Sequence, residues 1–260
     1  MIVPVLLGGL GNQLFTIAAA YSKSLDIPNS GFGINYSLPH YAMQGESPAT
    51  YRDTFYSKIQ ATDFTSTTTF KERDWRYSPI PNDDNVIIQG YFQSEKHFRH
   101  HSVEVKNLFE FPGTVKTKVD NIIKKYNKKI VGVHVRLGDY LKSDCRPIHH
   151  ICDRVYYEKA VSNFDPNEYQ VVVCTDDIIS YNNYINLSNT DVMTDASVLE
   201  SLYLLSICDS IVMSNSSFSW WGAYLGKAKE VTYAPSRWFG PGGPQNFQDI
   251  YRDNWTLLDI

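Results

Sequence analysis

The chain has 260 residues, enough for one large domain or two small ones, and a formal net charge of −4. No basic tail or cluster is long enough to track a phosphate backbone, which argues against nucleic acid as the main partner. No apolar run approaches the ~18 residues of a membrane span, and the opening apolar run lacks the charged front and cleavage region of a signal peptide. A cytoplasmic protein is therefore expected.

Residues 2–7 read as a first strand, followed by a tight turn at Gly8-Gly9-Leu10-Gly11-Asn12-Gln13 and a helix over 14–25 that is rich in alanine. This pattern approaches a dinucleotide fingerprint but lacks its third glycine, since position 14 is Leu, and no acid ends a clear second strand. The glycines still let a backbone approach a ligand closely, and Asn12 can both donate and accept. From 28 to 85 the sequence is rich in Pro, Ser, Thr and Tyr, which predicts irregular connections. Residues 86–92 read as a strand, and Ser94 as the cap of a helix carrying His97, His100 and His101. Without a carboxylate or thiolate beside them in sequence, these histidines are expected on a solvated face. Phe111-Pro112-Gly113 marks the boundary between domains 1–112 and 113–260.

Beyond it, 114–126 is a predicted helix and 130–135 a buried strand of a parallel sheet. His134, Arg136, Gly138 and Asp139 gather where that strand ends, and ligands of open α/β sheets bind outside carboxyl ends of strands. A planar, always-charged guanidinium suits a phosphate there, although pairing of Arg136 with Asp139 is an equally ordinary outcome. The loop that follows holds Cys145, His149, His150 and Cys152, whose spacing fits no standard zinc pattern. The four cysteines form no close pair, so no disulfide framework is expected. A helix over 156–164 and a strand over 169–175 precede Asp176-Asp177, read as a helix cap rather than a metal site. A strand end at 192–195, a helix over 197–208 and a strand over 210–214 lead into Asn215-Ser216-Ser217-Phe218-Ser219. Hydroxyls opening a helix supply donors beside a positive dipole end, which makes an anion site. A last strand at 231–233 and a Trp/Pro/Gly-rich tail complete a doubly wound α/β chain, expected as two domains facing each other across a cleft between Asn12 and Arg136.

Residues 8–15, His134-Val135-Arg136 with Gly138-Asp139-Tyr140, and 215–225 together resemble the inverting α-1,2-fucosyltransferases, relatives of the α-1,6- and protein O-fucosyltransferases. Residues 90–98 and Thr175-Asp176-Asp177 are also similar to that family, so the likeness spans most of the chain in order. The resemblance implies a GT-B-like fold of two Rossmann-like domains, the first acceptor-side and the second holding a GDP-sugar. It implies metal-independent transfer of L-fucose from GDP-L-fucose to a glycan hydroxyl of the 2-OH galactose type, with inversion and no cofactor. Catalysis would rest on Arg136, Asn12 and Asp139, and donor binding on Gly11, His134, Arg136, Asp195, Asn215, Ser216, Ser217, Phe218 and Ser219. Asp195 and Glu200 are candidate readers of guanine, because a carboxylate matches its adjacent N–H donors. Glu95 and Asp53 rival Asp139 as the base. A lipid-linked acceptor would be the route to any peripheral membrane association. The chain departs from the family where Leu137 replaces a second arginine, where Ser201 stands for an acid, and near Ser210, where a histidine is usual. These departures keep open a transferase of the same fold with another nucleotide sugar, or a nucleotide- or glycan-binding homologue without turnover.

Overall fold

The computed structural model describes residues 1–40 and 47–259, which fold into two compact units. The first comprises Met1–Pro112 with Asn246–Arg252, and the second Gly113–Gln245 with Asp253–Ile260.

In the first unit β1 (Ile2–Val5), β2 (Thr69–Lys71) and β3 (Val86–Gln89) form a parallel sheet in the order β1-β3-β2. Helix α1 (Leu10–Asp26) packs Ala19 and Ala20 against Ile2, Val86 and Ile88. It begins four residues earlier than the sequence suggests, so Gly11, Asn12 and Gln13 lie in its first turn rather than in a loop. The reason is Gly8, whose φ of +70° makes the turn by itself, with Gln13 Nε2 donating to its carbonyl at 3.1 Å. The 28–85 segment is mostly irregular, as expected, and its residues 41–46 lie outside the described ones. It does contain β2, three residues without an apolar run, hidden from any periodicity argument.

After β3 the predicted helix is two 3₁₀ turns, Glu95–His97 and Arg99–His101, before α2 (Ser102–Leu108). Ser94 caps the first turn, accepting from Lys96 N at 3.3 Å. His97 is not on a solvated face: it is buried, edge-on to Tyr77 and Phe92 with ring centroids 4.8 and 5.3 Å away. The main span of this unit ends at Pro112, and Asn246–Arg252, within the expected second domain, returns to it. There Asp249 pairs with Lys96 and accepts from Tyr77 N, and Arg252 Nε lies 2.7 Å from Glu95.

The second unit begins with α3 (Gly113–Ile123) and the central strand β4 (Lys129–Val135). Alternating elements follow: α4 (Arg154–Val161), β5 (Tyr169–Thr175), α5 (Ile178–Tyr184), β6 (Thr190–Val192), α6 (Val198–Ile207), β7 (Ser210–Val212), α7 (Ser217–Tyr224) and β8 (Thr232–Pro235). The tail adds β9 (Thr256–Leu258), a strand the sequence reading leaves inside an irregular wrap. All six strands are parallel, in the order β6-β5-β4-β7-β8-β9. Counted from β4 this is 3-2-1-4-5-6, the doubly wound order whose direction reverses between β4 and β7.

Both faces of β4 are covered. Val131, Val133, Val135 and Leu137 pack on Tyr156, Tyr157 and Ala160 of α4 and Tyr181 of α5. Gly132 and His134 face the other way, and a Cβ on Gly132 would lie 3.0 Å from Cys208 Sγ and 3.1 Å from Leu205 Cδ2. Each fully buried aliphatic side chain contributes roughly 1.5–3 kcal/mol, so this strand anchors the unit. Helix α6 meets α7 at Gly222, where an added Cβ would sit 2.6 Å from Leu205 Cβ. Gly222→Ala should therefore cost about 1–3 kcal/mol through overpacking, read as a lower urea midpoint at unchanged m. An unchanged midpoint would show that the two helices separate cheaply.

Candidate active site

The parallel register builds the site in the second unit. Pairing of Val135 with Thr175 sets Arg136 beside Asp176, one residue past each strand. Arg136 NH1 lies 3.1 Å from Asp176 Oδ2, and its NH2 lies 2.7 Å from Asp139 Oδ1. The other Asp176 oxygen accepts from Leu137 N at 2.9 Å, and Tyr140 holds its ring beneath the guanidinium, 5.4 Å from Cζ. Asp139 is thus committed to the arginine, and its geometry is that of a brace. Asp176 and Asp177 do not act together. Asp177 caps α5, accepting from Ser180 N at 2.9 Å, while Asp176 turns back to Arg136. Gly138 is required here, since a Cβ would come within 2.5 Å of Asp176 Oδ2. Burial pushes the Asp176 carboxyl above its ordinary range, against the opposing pull of Arg136. Only the fold singles out Asp176, because adjacent acids at a strand end look alike in sequence.

Leu137 is fully buried with Val131, Val133 and Val135, so position 137 points into the core. A second arginine there could not reach the cluster without burying an unpaired charge.

On the opposite face of β4, His134 meets the end of β7 and the start of α7. Its Nδ1 lies 2.6 Å from Ser219 Oγ and 3.0 Å from Ser214 Oγ, and the two hydroxyls are 3.0 Å apart. Nδ1 and the two hydroxyls thus form one buried hydrogen-bonded cluster. Burial, then the Arg136 charge, pushes the imidazole down to about 3. His134 is consequently neutral at physiological pH and not a proton shuttle.

Ser216 caps α7, accepting from Phe218 N at 3.3 Å, and Ser217 and Phe218 are half-buried beside it. Phe218 packs 5.0 Å from the His134 ring. Asn215 is held, not presented: its amide donates to the His150 and Trp238 carbonyls at 2.7 and 2.8 Å. Cys152 Sγ donates to its Oδ1 and Tyr140 to its carbonyl. The 145–152 loop therefore positions Asn215, as His149 stacks on Tyr140 with centroids 4.1 Å apart. Its cysteines and histidines do not form a metal-ligand cluster among the described residues, where all four cysteines are free. Asp195 is exposed in the turn after β6, on the same carboxyl edge. Glu200 is elsewhere committed, to the capping box with Ser197 and to Lys118 at 2.9 Å.

In the first unit, Gly11 is buried in α1, and Asn12 Oδ1 accepts from Gln93 Nε2 at 2.7 Å. Thr16 donates to the Gly90 carbonyl at 3.0 Å, tying the same turn of α1 to the end of β3. Glu72, just past β2, receives Tyr91 N at 2.7 Å and Phe92 N at 3.0 and 3.1 Å. Phe92 has φ +49°, a strained value for an aromatic residue, which the carboxylate holds in place. Trp75 stacks on Tyr91 at 5.4 Å beside it. Burial raises the Glu72 carboxyl, against those two N–H bonds. Of the expected bases, Glu95 pairs with Arg252 and Asp53 is exposed. Glu72 escaped the sequence reading because nothing in its neighbourhood shows a strand.

A family model, glycosyl transferase family 11, matches residues 32–259. The chain belongs to glycosyl transferase family 11 and is a glycosyltransferase. An α-1,2-colitosyltransferase of Escherichia coli is 27% identical over the whole of this chain and 99% of its own. The O-antigen biosynthesis glycosyltransferase WbnK of Escherichia coli is 28% identical over 51% of this chain and 45% of its own. A bovine (Bos taurus) galactoside 2-α-L-fucosyltransferase, SEC1, is 27% identical over 62% of this chain and 48% of its own. Among solved structures, the fucosyltransferase NodZ from Bradyrhizobium shares the fold, with a TM-score of 0.55 and 15% identity over 86% of this chain and 93% of that one. No helix among the described residues is long and apolar enough to cross a membrane.

The buried imidazole carries a pH prediction. A histidine at about 3 in the fold and near 6.5 when unfolded gives stability that is complete above pH 6.5 and is lost as pH falls toward 3. His97, also pushed down to about 3 by burial, behaves alike. Each costs up to ~1.4 kcal/mol per pH unit inside that window. Urea unfolding of His97→Gln should show a shallower loss between pH 7 and 5 than the parent chain, and parallel curves would deny that His97 is buried neutral.

Proposed function

We propose that this family 11 enzyme transfers L-fucose from GDP-L-fucose to a galactoside 2-hydroxyl, with inversion and without a metal. The observation that carries the reading is the group at the carboxyl end of β4: Arg136 paired toward β5, with neutral His134 and the hydroxyl-rich start of α7 on the β7 side, where the strand order reverses. Such crevices outside the carboxyl ends of strands bind nucleotides. As the sugar–phosphate bond breaks, charge develops on the β-phosphate oxygen. Arg136 and the N–H groups of α7 would stabilise it electrostatically, with Asp139 and Asp176 fixing the guanidinium plane. Asp195 lies two strands away from β4, roughly 10 Å at the usual strand spacing, a span that suits a nucleoside reaching from phosphate to base.

In the transfer step the acceptor hydroxyl gives its proton to a base, the acceptor oxygen bonds to the anomeric carbon and GDP departs with the bonding pair. Asp139 does not serve as that base, because Arg136 holds it. Trp75 on Tyr91 offers an aromatic surface for the acceptor ring, and Asn12, held by Gln93, would orient it. Galactoside fucosyltransferases among the relatives support this acceptor class. A second reading, colitosyl transfer, is favoured by the full-length match to a colitosyltransferase. A cytoplasmic enzyme fits this chemistry, because nucleotide sugars are made there, with a lipid-linked glycan as one acceptor class.

GDP at 100 times its dissociation constant should stabilise the chain by about 2.7 kcal/mol, whereas UDP and CMP should leave its melting temperature unchanged. Turnover should persist in excess EDTA, and comparing fucosyl with colitosyl donors separates the two readings. A larger shift with UDP, or activity rescued only by Mn²⁺, overturns the proposal.

One substitution separates binding from chemistry. Arg136→Lys keeps charge but loses the planar fork, so GDP should bind weakly and turnover fall by roughly two orders of magnitude or more. Near-normal turnover of this variant removes Arg136 from the mechanism.

A further inference from the structure

We propose that Asp26, His100 and His101 form a binding site for one zinc-class divalent ion, which clasps the carboxyl end of α1 to the turn before α2. Sequence alone gives three histidines within five residues, with Glu95 and Glu104 as the nearest acids. The fold sorts them. His97 turns into the core, while His100 and His101 turn toward α1, where Asp26 is the last helical residue.

Both imidazole Nε2 atoms lie 3.1 Å from the same carboxylate oxygen, Asp26 Oδ1, and the three potential ligand atoms lie within 4.8 Å of one another. Zinc bonds of about 2.0–2.1 Å at a tetrahedral angle put ligand atoms ~3.3 Å apart. The two nitrogen–oxygen separations already match this to a few tenths of an ångström, and rotation of the partly exposed rings brings the two nitrogens, within 4.8 Å of each other, to the same spacing. As it stands, each Nε2–H donates to one shared oxygen, and a single cation can take the place of both protons. Two imidazoles and one carboxylate suit zinc, cobalt or nickel, whereas calcium and magnesium prefer an all-oxygen set.

The surroundings favour an ion at this position. The last turn of a 17-residue helix carries the negative end of its dipole. Ser22, one turn before Asp26, places its hydroxyl 3.4 Å from His100 Nε2. Lys23 opposes the cation, but its ammonium lies 3.9 Å from the other carboxylate oxygen and is engaged with Asn82. All three ligands are partly exposed, so an ion can enter and water can complete its shell. Asp26 lies 14 residues along α1 from Asn12, roughly 21 Å at helical rise, so the ion would brace the first unit and stay out of the transfer chemistry.

The test is calorimetric titration of the full chain, stripped with EDTA and dialysed, with ZnCl₂, alongside CoCl₂ titration followed by visible absorption. One ion per chain at micromolar affinity, a higher melting temperature and cobalt d–d bands are expected, with no response to MgCl₂. His100→Gln and His101→Gln should each weaken zinc at least tenfold and leave transferase turnover unchanged. Zinc affinity equal in both variants and the parent, or no zinc binding to the parent at 100 µM, overturns the site. The cobalt spectrum of the parent decides the question even where a variant fails to fold.

Discussion

The pairing of Arg136 with Asp176 is the constraint from which the second unit's site follows. Parallel register between β4 and β5 delivers the two residues side by side at adjacent strand ends. Hydrogen bonds hold the remaining carboxylate oxygen to Leu137 N, so neither partner is at liberty to rotate. A partly buried guanidinium unpaired at this point would cost several kcal/mol, and its two carboxylates remove most of that cost. The same pairing fixes the fork in place, the preorganisation that the leaving-group stabilisation we propose would require.

His134 works by the opposite principle. It lies two residues before Arg136, and the serines at the end of β7 and in α7 hold its ring through Nδ1. Burial keeps it uncharged, so it places a polar ring there without adding a second positive charge beside Arg136. Thus the end of β4 carries a charged group and a neutral ring two residues apart, while Val131, Val133, Val135 and Leu137 alternate with them into the core.

The first unit shows a different economy. Glu72 uses two backbone amides to hold Phe92 in the left-handed region, and the loop so formed carries Gln93 to Asn12. One carboxylate thereby shapes the whole carboxyl edge of a three-stranded sheet. Its raised pKa comes from the burial that this clamping imposes. Asn246–Arg252 closes the unit through Asp249 and Arg252, charges that no local pattern would join to Lys96 and Glu95.

The sequence by itself determined the doubly wound class, the buried central strand and the residues at its carboxyl end, because period-two burial and strand-end chemistry are local properties. Motif spacing likewise located His134, Arg136 and the Ser216–Ser219 start of α7. Tertiary structure alone decided what these side chains touch. It turned Asp139 into a brace, split Asp176 from Asp177, sent Leu137 into the core and spent Glu200 on a cap. It also raised Glu72 from an unremarked segment and brought Asp26 to His100 and His101 across 74 and 75 residues. The physical reason is range. Backbone propensity and hydrophobic alternation act over a few neighbouring residues, whereas hydrogen bonds and ion pairs are chosen by strand register and helix packing, which join residues far apart in the chain.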